Sequence, residues 1–411
     1  MELYDVITGC RSCGSPRLEP ILSLGTTPLA DGLIDAEALE RPEPRFPLDV
    51  AFCEDCSLVQ ILATVRPEML FGTDYPYFSS FSPELLRHSR ENAESLTRTR
   101  NLGPRSLVVE IASNDGYLLR NFVEAGIPVL GIDPAPGPAR AAEAAGVRTM
   151  CTFFDLDLAE RLAGEGTQAD VVIGNNVLAH VPDQNAFIAG IARLLKHDGV
   201  AVIEVPYVRD LIERCEFDTI YHEHHCYFSV TALVRLFARH GLSLNHVEHY
   251  PIHGGSLRLF VEPREDVGIS VRRYLREEAD AGLTHAAFYR DFAARVERTR
   301  DSLVQTVTAL KAQGRRIAAY GAAAKGATLL NYTGIDSEII DFVVDRNVHK
   351  QGRYMPGVRI PIADPCRLME DRPDYVLMLA WNFKDEILNQ QEAYRALGGR
   401  FIVPIPEPVI I

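Results

Sequence analysis

The sequence is short of basic residues and has no long apolar run. Lys and Arg number 42 against 56 Asp and Glu, so the formal net charge is −14. This balance excludes an extended nucleic-acid or anionic-membrane surface, where lysine and arginine dominate. No apolar segment approaches the ~20 residues that span a bilayer, and the N-terminal residues lack the pattern of a signal peptide. We predict a cytoplasmic protein that binds neither nucleic acid nor membrane.

Cysteine is too sparse for a disulfide scaffold, because only 8 of the 411 residues are Cys. The composition, 47% hydrophobic and 24% charged, is typical of a globular enzyme. The length predicts two or three domains. The sequence carries no signal for oligomeric state, so a monomer is the default expectation.

Four of the cysteines form two C-x-x-C pairs, Cys10 with Cys13 and Cys53 with Cys56. Each such loop presents two thiolates to one tetrahedral Zn²⁺, and two loops complete a Cys₄ site. A closed site of this kind has no open coordination position, so the pattern predicts a structural zinc ion. The alternative is four unrelated buried or redox-active thiols.

The remaining organisation is α/β. Residues 1–74 are rich in proline and turn residues and form the predicted zinc-binding module. Ser82 as N-cap and Pro83 at the first helical position predict a helix. Alternating strands and helices then predict a central Rossmann-like domain over 75–267 with a mostly parallel sheet. Within that domain, AFIAGIARLLKHDG (186–199) is predicted to be one helix. A helical connection, with helix from about Ser270 to Gln313, and a second Rossmann-like α/β domain, whose strands include EIIDFVVD (338–345), are predicted over 268–411.

The central domain contains a cofactor-binding pattern. The segment EIASNDG at 110–116 leaves a strand and enters a helix, whose first N–H groups face a ligand. Ala112 stands where a dinucleotide fingerprint has its first glycine, a change that methyltransferases tolerate. Asp133 ends the next strand, where a carboxylate binds ribose hydroxyls. The pattern favours S-adenosylmethionine, and the alternatives are another nucleotide or an inactive sheet.

Further side chains complete this predicted cofactor site. Two phenylalanines enclose the adenine, and two asparagines lie over the sulfonium region. The predicted cofactor-binding residues are Glu110, Ala112, Asn114, Gly116, Asp133, Phe153, Phe154, Asn175 and Asn176.

The segment 217–229 concentrates titratable side chains, namely Tyr221, His222, Glu223, His224, His225 and Tyr227. Burying such groups at this density is costly unless they take part in chemistry. Methylation of a carbon beside a carbonyl needs a base for the C–H and donors for the enolate oxygen, and His and Tyr suit these roles. A metal site and a solvated polar loop are the alternatives.

The C-terminal domain supports a competing function. Gly321 to Gly326 reads G-x-A-x-x-G after a strand, and Asp345 ends the next strand. This pattern is close to a nicotinamide-dinucleotide fingerprint and, taken alone, predicts an NAD-dependent oxidoreductase. Trp381 follows a later strand, where either ligand stacking or packing is plausible.

Together these motifs resemble the sugar C-methyltransferase family of deoxysugar and antibiotic biosynthesis. The resemblance rests on CRSCGS, CEDC, DYPYFSSFSPEL, VVEIASNDG, YHEHHCYFS, HGGSLRLF and YGAAAKGATLLNY, which span nearly the whole chain. It implies a zinc module, S-adenosylmethionine, and a dTDP-linked 4-keto-deoxysugar bound between the central and C-terminal domains. It also implies that the loop from Gly321 to Gly326 holds the phosphates of the sugar nucleotide, with Lys325 contributing charge; the alternative is an NAD-dependent oxidoreductase of a nucleotide-sugar.

The resemblance also implies roles for individual residues. His224 removes the proton alpha to the keto group, Tyr221 is the oxyanion donor, and Glu223 and His180 support them. Tyr75 falls on another active-site position, and Tyr75, Tyr221 and His180 are the alternative bases. The substrate-binding residues implied are Tyr77, Ser79, Lys325, Asn331 and Tyr332. The identity of the sugar and the methylated carbon, 3 or 5, stay open.

Overall fold

The computed structural model describes residues 3–70 and 78–411. The predictions at Tyr75 and Tyr77 therefore lie outside the described residues. Within the described part, every helix is too short or too polar to traverse a lipid bilayer.

The first segment is a small antiparallel module. It contains β1 (Tyr4–Val6), β2 (Leu18–Thr27), β3 (Phe46–Cys53), β4 (Val59–Ile61), β5 (Ala63–Val65) and α1 (Pro67–Leu70). A later strand, β11 (Cys226–Tyr227), pairs with β4, so the sheet order is β11-β4-β3-β2. Burial alternates along the first half of β3 and is continuous from Val50, because both faces of the strand are covered there.

The central segment forms a doubly wound sheet. Its elements are α2 (Pro83–Thr99), β6 (Val108–Ile111), α3 (Leu119–Glu124), β7 (Val129–Ile132), α4 (Pro136–Ala144), β8 (Thr149–Met150), α5 (Leu156–Gly164), β9 (Ala169–Asn175), α6 (Gln184–Leu194), β10 (Leu195–Pro206), α7 (Val208–Glu213), α8 (Val230–Ala238), β12 (Ser243–Tyr250) and β13 (Ser256–Glu262). The order is β12-β13-β10-β9-β6-β7-β8, and β13 runs antiparallel to both of its neighbours. The strand order reverses between β6 and β9, so their carboxyl ends open a ligand crevice.

The predicted start of α2 is confirmed. The Ser82 side chain accepts a hydrogen bond from the Leu85 amide at 3.3 Å, and Pro83 occupies the first turn. This cap satisfies one of the amides that a helix N-terminus leaves unpaired.

The last segment forms the second α/β sheet. Its elements are α9 (Ile269–Ala281), α10 (Phe292–Ala312), β14 (Ile317–Tyr320), α11 (Ala324–Thr333), β15 (Val343–Val344), β16 (Ile362–Ala363), α12 (Arg367–Asp371), β17 (Tyr375–Met378), α13 (Lys384–Gln390), α14 (Glu392–Ala396), β18 (Arg400–Val403) and β19 (Val409–Ile410). The order is β16-β15-β14-β17-β18-β19, and β19 alone among these pairs is antiparallel. The predicted fold class, with a zinc-binding module and two Rossmann-like domains, is confirmed.

The small module lies between the two larger sheets and shares a core with each. One core joins Phe52 of β3 to Val307 of α10 and Ile317 of β14. The Phe52 ring lies 4.8 Å from that of Tyr289. On the other side, Cys53 belongs to the core of the central domain. The small module is therefore packed between the two larger domains and contributes side chains to the core of each.

Three element predictions are corrected. The helix expected to run through Gly199 ends at Leu194, because Leu195 pairs with Ala169 and starts β10. The helical stretch predicted over 270–313 is two helices, since Gly282 takes a left-handed conformation (φ 84°) after α9. The strand predicted around Ile339 is reduced to β15, because a turn begins at Asp336, whose side chain accepts from the Glu338 amide.

Candidate active site

The four predicted zinc ligands converge. The sulfur atoms of Cys10, Cys13, Cys53 and Cys56 all lie within 4.8 Å of one another. The Cys10 and Cys56 sulfurs are 3.4 Å apart, and those of Cys13 and Cys53 are 3.6 Å apart. Ligands of a tetrahedral zinc–thiolate site lie about 3.8 Å apart, given Zn–S bonds of about 2.3 Å. The donor set therefore fits one structural Zn²⁺, as predicted.

Neighbouring donors support this site and fix it to the central domain. The Gln60 side-chain amide donates to Cys10 Sγ at 3.3 Å, and the Ser12 amide approaches the same sulfur at 3.4 Å. Asn185 of α6 donates to the carbonyls of Arg11 and Ser12 at 3.0 and 3.1 Å. Such bonds stabilise thiolate ligands and orient their loops.

The predicted cofactor loop follows β6 with unusual backbone geometry. Ala112 and Asn114 have φ values of 57° and 49°, and Gly116 has φ 76°. A Cβ on Gly116 would lie 2.9 Å from the Val147 side chain, so this glycine is required for close packing. Asp133 accepts bonds from the Asn114 and Ala135 amides, both at 2.8 Å. These bonds hold Asp133 beside the loop at the end of β7.

Glu110 identifies the charge of the ligand that this loop suits. The residue is 1% exposed, and neither carboxyl oxygen has a hydrogen-bond partner among the described residues. Burial, together with Asp133 and Asp115, raises the pKa of this carboxyl well above its usual range. Carboxyl groups crowded around one loop in this way favour a ligand that carries positive charge and disfavour a pyrophosphate. The crevice therefore fits the sulfonium and ammonium groups of S-adenosylmethionine.

The remaining predicted cofactor residues differ in their position relative to the crevice. Asn175 and Asn176 end β9 at the crevice, and the buried Oδ1 of Asn175 has no partner within the described residues. Phe153 is 48% exposed beside the same sheet edge. Phe154 packs edge-on against Phe187 of α6, with ring centroids 5.4 Å apart. This packing occupies part of the Phe154 ring, and its contact with adenine stays a prediction.

Ser79 lies against the cofactor loop. Its amide donates to the Asn114 side chain at 2.9 Å, and the Ser80 amide donates to Asp115 at 3.1 Å. The preceding Phe78 ring stacks on His349 of the C-terminal domain at 5.1 Å. Residues 78–80 thus connect the cofactor loop of the central domain with the C-terminal domain. The contact of Ser79 with substrate stays a prediction.

Tyr221 and His224 form a hydrogen-bonded pair. The Tyr221 hydroxyl lies 2.9 Å from His224 Nε2, and His224 Nδ1 lies 2.9 Å from the Thr219 carbonyl oxygen. A carbonyl only accepts, so Nδ1 carries the proton and Nε2 presents its lone pair to the hydroxyl. The His180 ring is 4.7 Å away. Burial and His180 lower the pKa of His224 well below its usual value, and burial lowers that of His180 to about 4.

Glu223 lies beside this pair and is 2% exposed. Burial and the nearby Asp31 of the small module raise the pKa of Glu223 to about 8. Its Oε2 atom has no hydrogen-bond partner in the described part of the chain. A neutral carboxyl is a hydrogen-bond donor, so Glu223 suits stabilisation of an oxyanion.

Lys325 lies in the first turn of α11, directly after the loop that follows β14, and faces the central domain. Its ammonium is 3.7 Å from the centre of the Trp381 ring and 3.3 Å from Asn382 Oδ1. Burial lowers the pKa of Lys325, and the nearby carboxyls of Asp218 and Glu216 oppose that shift. The lysine thus already has contacts within the protein, and its phosphate contact stays a prediction.

Asn331 and Tyr332 lie further along α11 and make contacts within the protein. The Asn331 amide donates to the carbonyls of Ala327 and Pro356, both at 2.9 Å. The Tyr332 ring packs on Phe217 with centroids 5.3 Å apart. Their roles in substrate binding stay predictions.

Asp218 was missed by the sequence reasoning. It accepts a 2.7 Å hydrogen bond from the Trp381 indole and is fully buried. An acidic residue within a polar segment carries no sequence signal of such a contact, because its partner lies in another domain.

The central sheet has a reversed strand, β13, and a ligand-binding loop after β6, where the Glu110 carboxyl has no partner among the described residues. Together with the four converging cysteines, these features define an S-adenosylmethionine-dependent methyltransferase with a structural zinc site. Three family models match: a zinc binding domain over 10–71, a methyltransferase domain over 85–247 and a C-methyltransferase C-terminal domain over 251–406. The chain belongs to the C-methyltransferase family. It is 39% identical over 413 residues to the C-methyltransferase NovU of Streptomyces niveus, an alignment that covers 100% of this chain and 98% of that protein.

More distant similarities are partial. A ubiquinone biosynthesis O-methyltransferase of Azorhizobium caulinodans is 29% identical over 123 residues, which cover 29% of this chain and 46% of that protein. The solved structure of magnesium protoporphyrin IX methyltransferase from Synechocystis PCC 6803 aligns with a TM-score of 0.33 and 18% identity, covering 43% of this chain and 78% of that one. The full-length match sets aside the NAD-dependent oxidoreductase alternative.

Proposed function

We propose that the enzyme methylates a carbon alpha to the keto group of a nucleotide-linked, dTDP-type 4-keto-deoxysugar through a base-generated enolate. The observation that carries this proposal is the 2.9 Å contact between Tyr221 and His224 Nε2. It places a neutral imidazole lone pair and a phenol donor side by side at the crevice. Removal of an alpha proton requires these two functions together.

The proposed chemistry uses the fixed tautomer of His224. With the Nδ1 proton donated to the Thr219 carbonyl, Nε2 is the ring nitrogen that accepts the substrate's alpha proton. To free the Nε2 lone pair, the Tyr221 hydroxyl first turns from Nε2 to the substrate's keto oxygen, where it donates to the enolate oxygen as that forms, and Glu223 adds a second donor. When bound, S-adenosylmethionine supplies an electrophilic methyl group. The proton stays on His224 until it leaves to solvent.

The proposed substrate position lies between the central and C-terminal sheets. The loop after β14 lies at the reversal of strand order, where ligands bind in such sheets. Gly321 has φ 94°, and a Cβ there would lie 2.7 Å from that of Ala380, so the loop needs glycine to pack. Three further statements stay predictions: the domain limits 1–74, 75–267 and 268–411, the cytoplasmic location, and the monomeric state.

The proposal is tested by incubating the enzyme with a dTDP-4-keto-6-deoxysugar in deuterium oxide, with and without S-adenosylmethionine. Mass spectrometry should show alpha-deuterium exchange in both cases and a methyl group only with the methyl donor. The control is dTDP-glucose, which has no keto group and should gain neither. Enzyme that binds S-adenosylmethionine but leaves every keto-sugar unchanged would overturn the substrate class.

Glu223 predicts a pH dependence. Because its pKa is raised to about 8, the carboxyl is a donor below that pH and loses its proton above it. Exchange should therefore fall as the pH rises past about 8, while neutral His224 stays available down to well below about 6.5. Glu223→Gln keeps an N–H donor at all pH values, so its exchange profile should lack the decline. A decline that persists in Glu223→Gln belongs to another group.

A further inference from the structure

One contact joins the C-terminal domain to the segment that carries the Tyr221–His224 pair. Trp381 follows β17, and its indole N–H donates to Asp218 Oδ2 at 2.7 Å. Asp218 lies in a short 3₁₀ turn over Phe217–Thr219 and is fully buried. A buried carboxylate depends on such a donor, because its hydration has been lost.

The same turn is held from a second side by the C-terminal domain. The Tyr332 ring of α11 packs on Phe217 with centroids 5.3 Å apart. Lys325 of the same helix lies over the Trp381 ring at 3.7 Å, which fixes the indole. The position of the 3₁₀ turn is therefore set by two parts of the C-terminal domain, α11 and the segment after β17.

This 3₁₀ turn also determines which ring nitrogen of His224 carries the proton. Its last residue, Thr219, is fixed by hydrogen bonds from its amide and hydroxyl to the Glu216 carbonyl at 3.1 and 2.7 Å. The Thr219 carbonyl accepts the His224 Nδ1 proton at 2.9 Å. Displacement of this carbonyl would release the tautomer that leaves Nε2 as the base.

We propose that Trp381 is a positioning residue for the reaction: its bond to Asp218 holds the Thr219 carbonyl where it selects the reactive His224 tautomer. The inference rests on the proposed function of His224 as base. It gives the C-terminal domain a part in the chemistry beyond holding the substrate.

The first test is Trp381→Phe, which keeps an aromatic face for Lys325 and removes the N–H donor together with one ring of the indole. We expect kcat and the alpha-proton exchange rate to fall together about tenfold, the size expected for one hydrogen bond to a charged group. The KM for S-adenosylmethionine should not change, because its crevice lies in the central sheet.

The same bond is tested from its other end, in case the tryptophan variant folds poorly. Asp218→Ala should lose as much activity as Trp381→Phe, and the double variant should lose no more than either single one. Asp218→Asn retains a carbonyl acceptor and should recover most of the activity. Trp381 is the sole tryptophan of the chain, so its fluorescence should shift to the red in Asp218→Ala.

A spectroscopic readout separates this inference from the proposed function. Nitrogen NMR with labelled histidine should show a protonated Nδ1 for His224 in the wild type and mixed tautomers in Trp381→Phe. This signal does not depend on which substrate is turned over. An unchanged tautomer in Trp381→Phe, or additive losses in the double variant, would overturn the positioning role even if keto-sugars are methylated.

Discussion

His224→Asn should lose both methyl transfer and exchange of the alpha proton, each by about a hundredfold to ten-thousandfold, the usual contribution of a positioned general base. The physical reason is that the Nδ1 proton is donated to the Thr219 carbonyl, which leaves Nε2 unprotonated and paired with the Tyr221 hydroxyl until substrate binds. Asparagine has no basic nitrogen to replace it. Exchange in deuterium oxide and methyl transfer, measured on the same dTDP-4-keto-deoxysugar, check the result.

Two companion variants make this test specific. Tyr221→Phe should lower both rates less steeply, because Glu223 still donates to the enolate oxygen. His246→Asn makes the same substitution at a histidine of β12 whose side chain is 51% exposed, and it should leave both rates unchanged. If His224→Asn exchanges the proton at the wild-type rate, the base is Tyr221, His180 or Tyr75.

The second large effect is expected at the zinc site. Cys53→Ser removes one of four thiolates, so the protein should be recovered with well under one zinc ion per chain and mostly insoluble, because metal binding is coupled to folding. Cys366→Ser is the matched control, since that thiol is exposed and distant from the cluster. Elemental analysis and thermal unfolding of the two variants give the comparison.

Loss of zinc should also disturb the reaction centre in protein that remains folded. Strand β4 follows Cys56 and pairs with β11, which begins directly after His225. The Ile61 amide donates to the His225 carbonyl at 3.0 Å, and His222 contacts the Pro47 carbonyl at 3.2 Å. A zinc-free protein with normal stability and activity would contradict the structural role of the metal.

Local patterns carried most of the correct sequence predictions. The C-x-x-C spacing, the cap at Ser82 and the strand–loop–helix after Glu110 are each determined within a few residues, so the fold class followed from them. The two-residue strand β11 did not follow, because its pairing with the small module joins segments far apart in the chain. The break at Gly282 was also missed, since a single glycine within a polar helix is a weak signal.

The candidate site, like the fold, was predictable where a local sequence pattern marks it. The YHEH segment identified the residues that the structure brings together, and the tautomer of His224 required the Thr219 carbonyl to be seen. The contact between Asp218 and Trp381 depends on how two domains dock, which no local pattern encodes. Likewise, the packing of Phe154 on Phe187 of α6 joins two segments that no local pattern relates.

The core shared by the small module and the C-terminal domain limits how this enzyme can be recombined with its relatives. A chimera that exchanges only residues 283–411 would replace Tyr289 and the other C-terminal residues that bury the Phe52 ring, while Phe52 itself stays. Each such aromatic loses about 1.5–3 kcal/mol when its burial is lost. An engineer who wishes to change the substrate should therefore transplant residues 3–70 together with residues 283–411, leaving the methyl-donor half as the recipient.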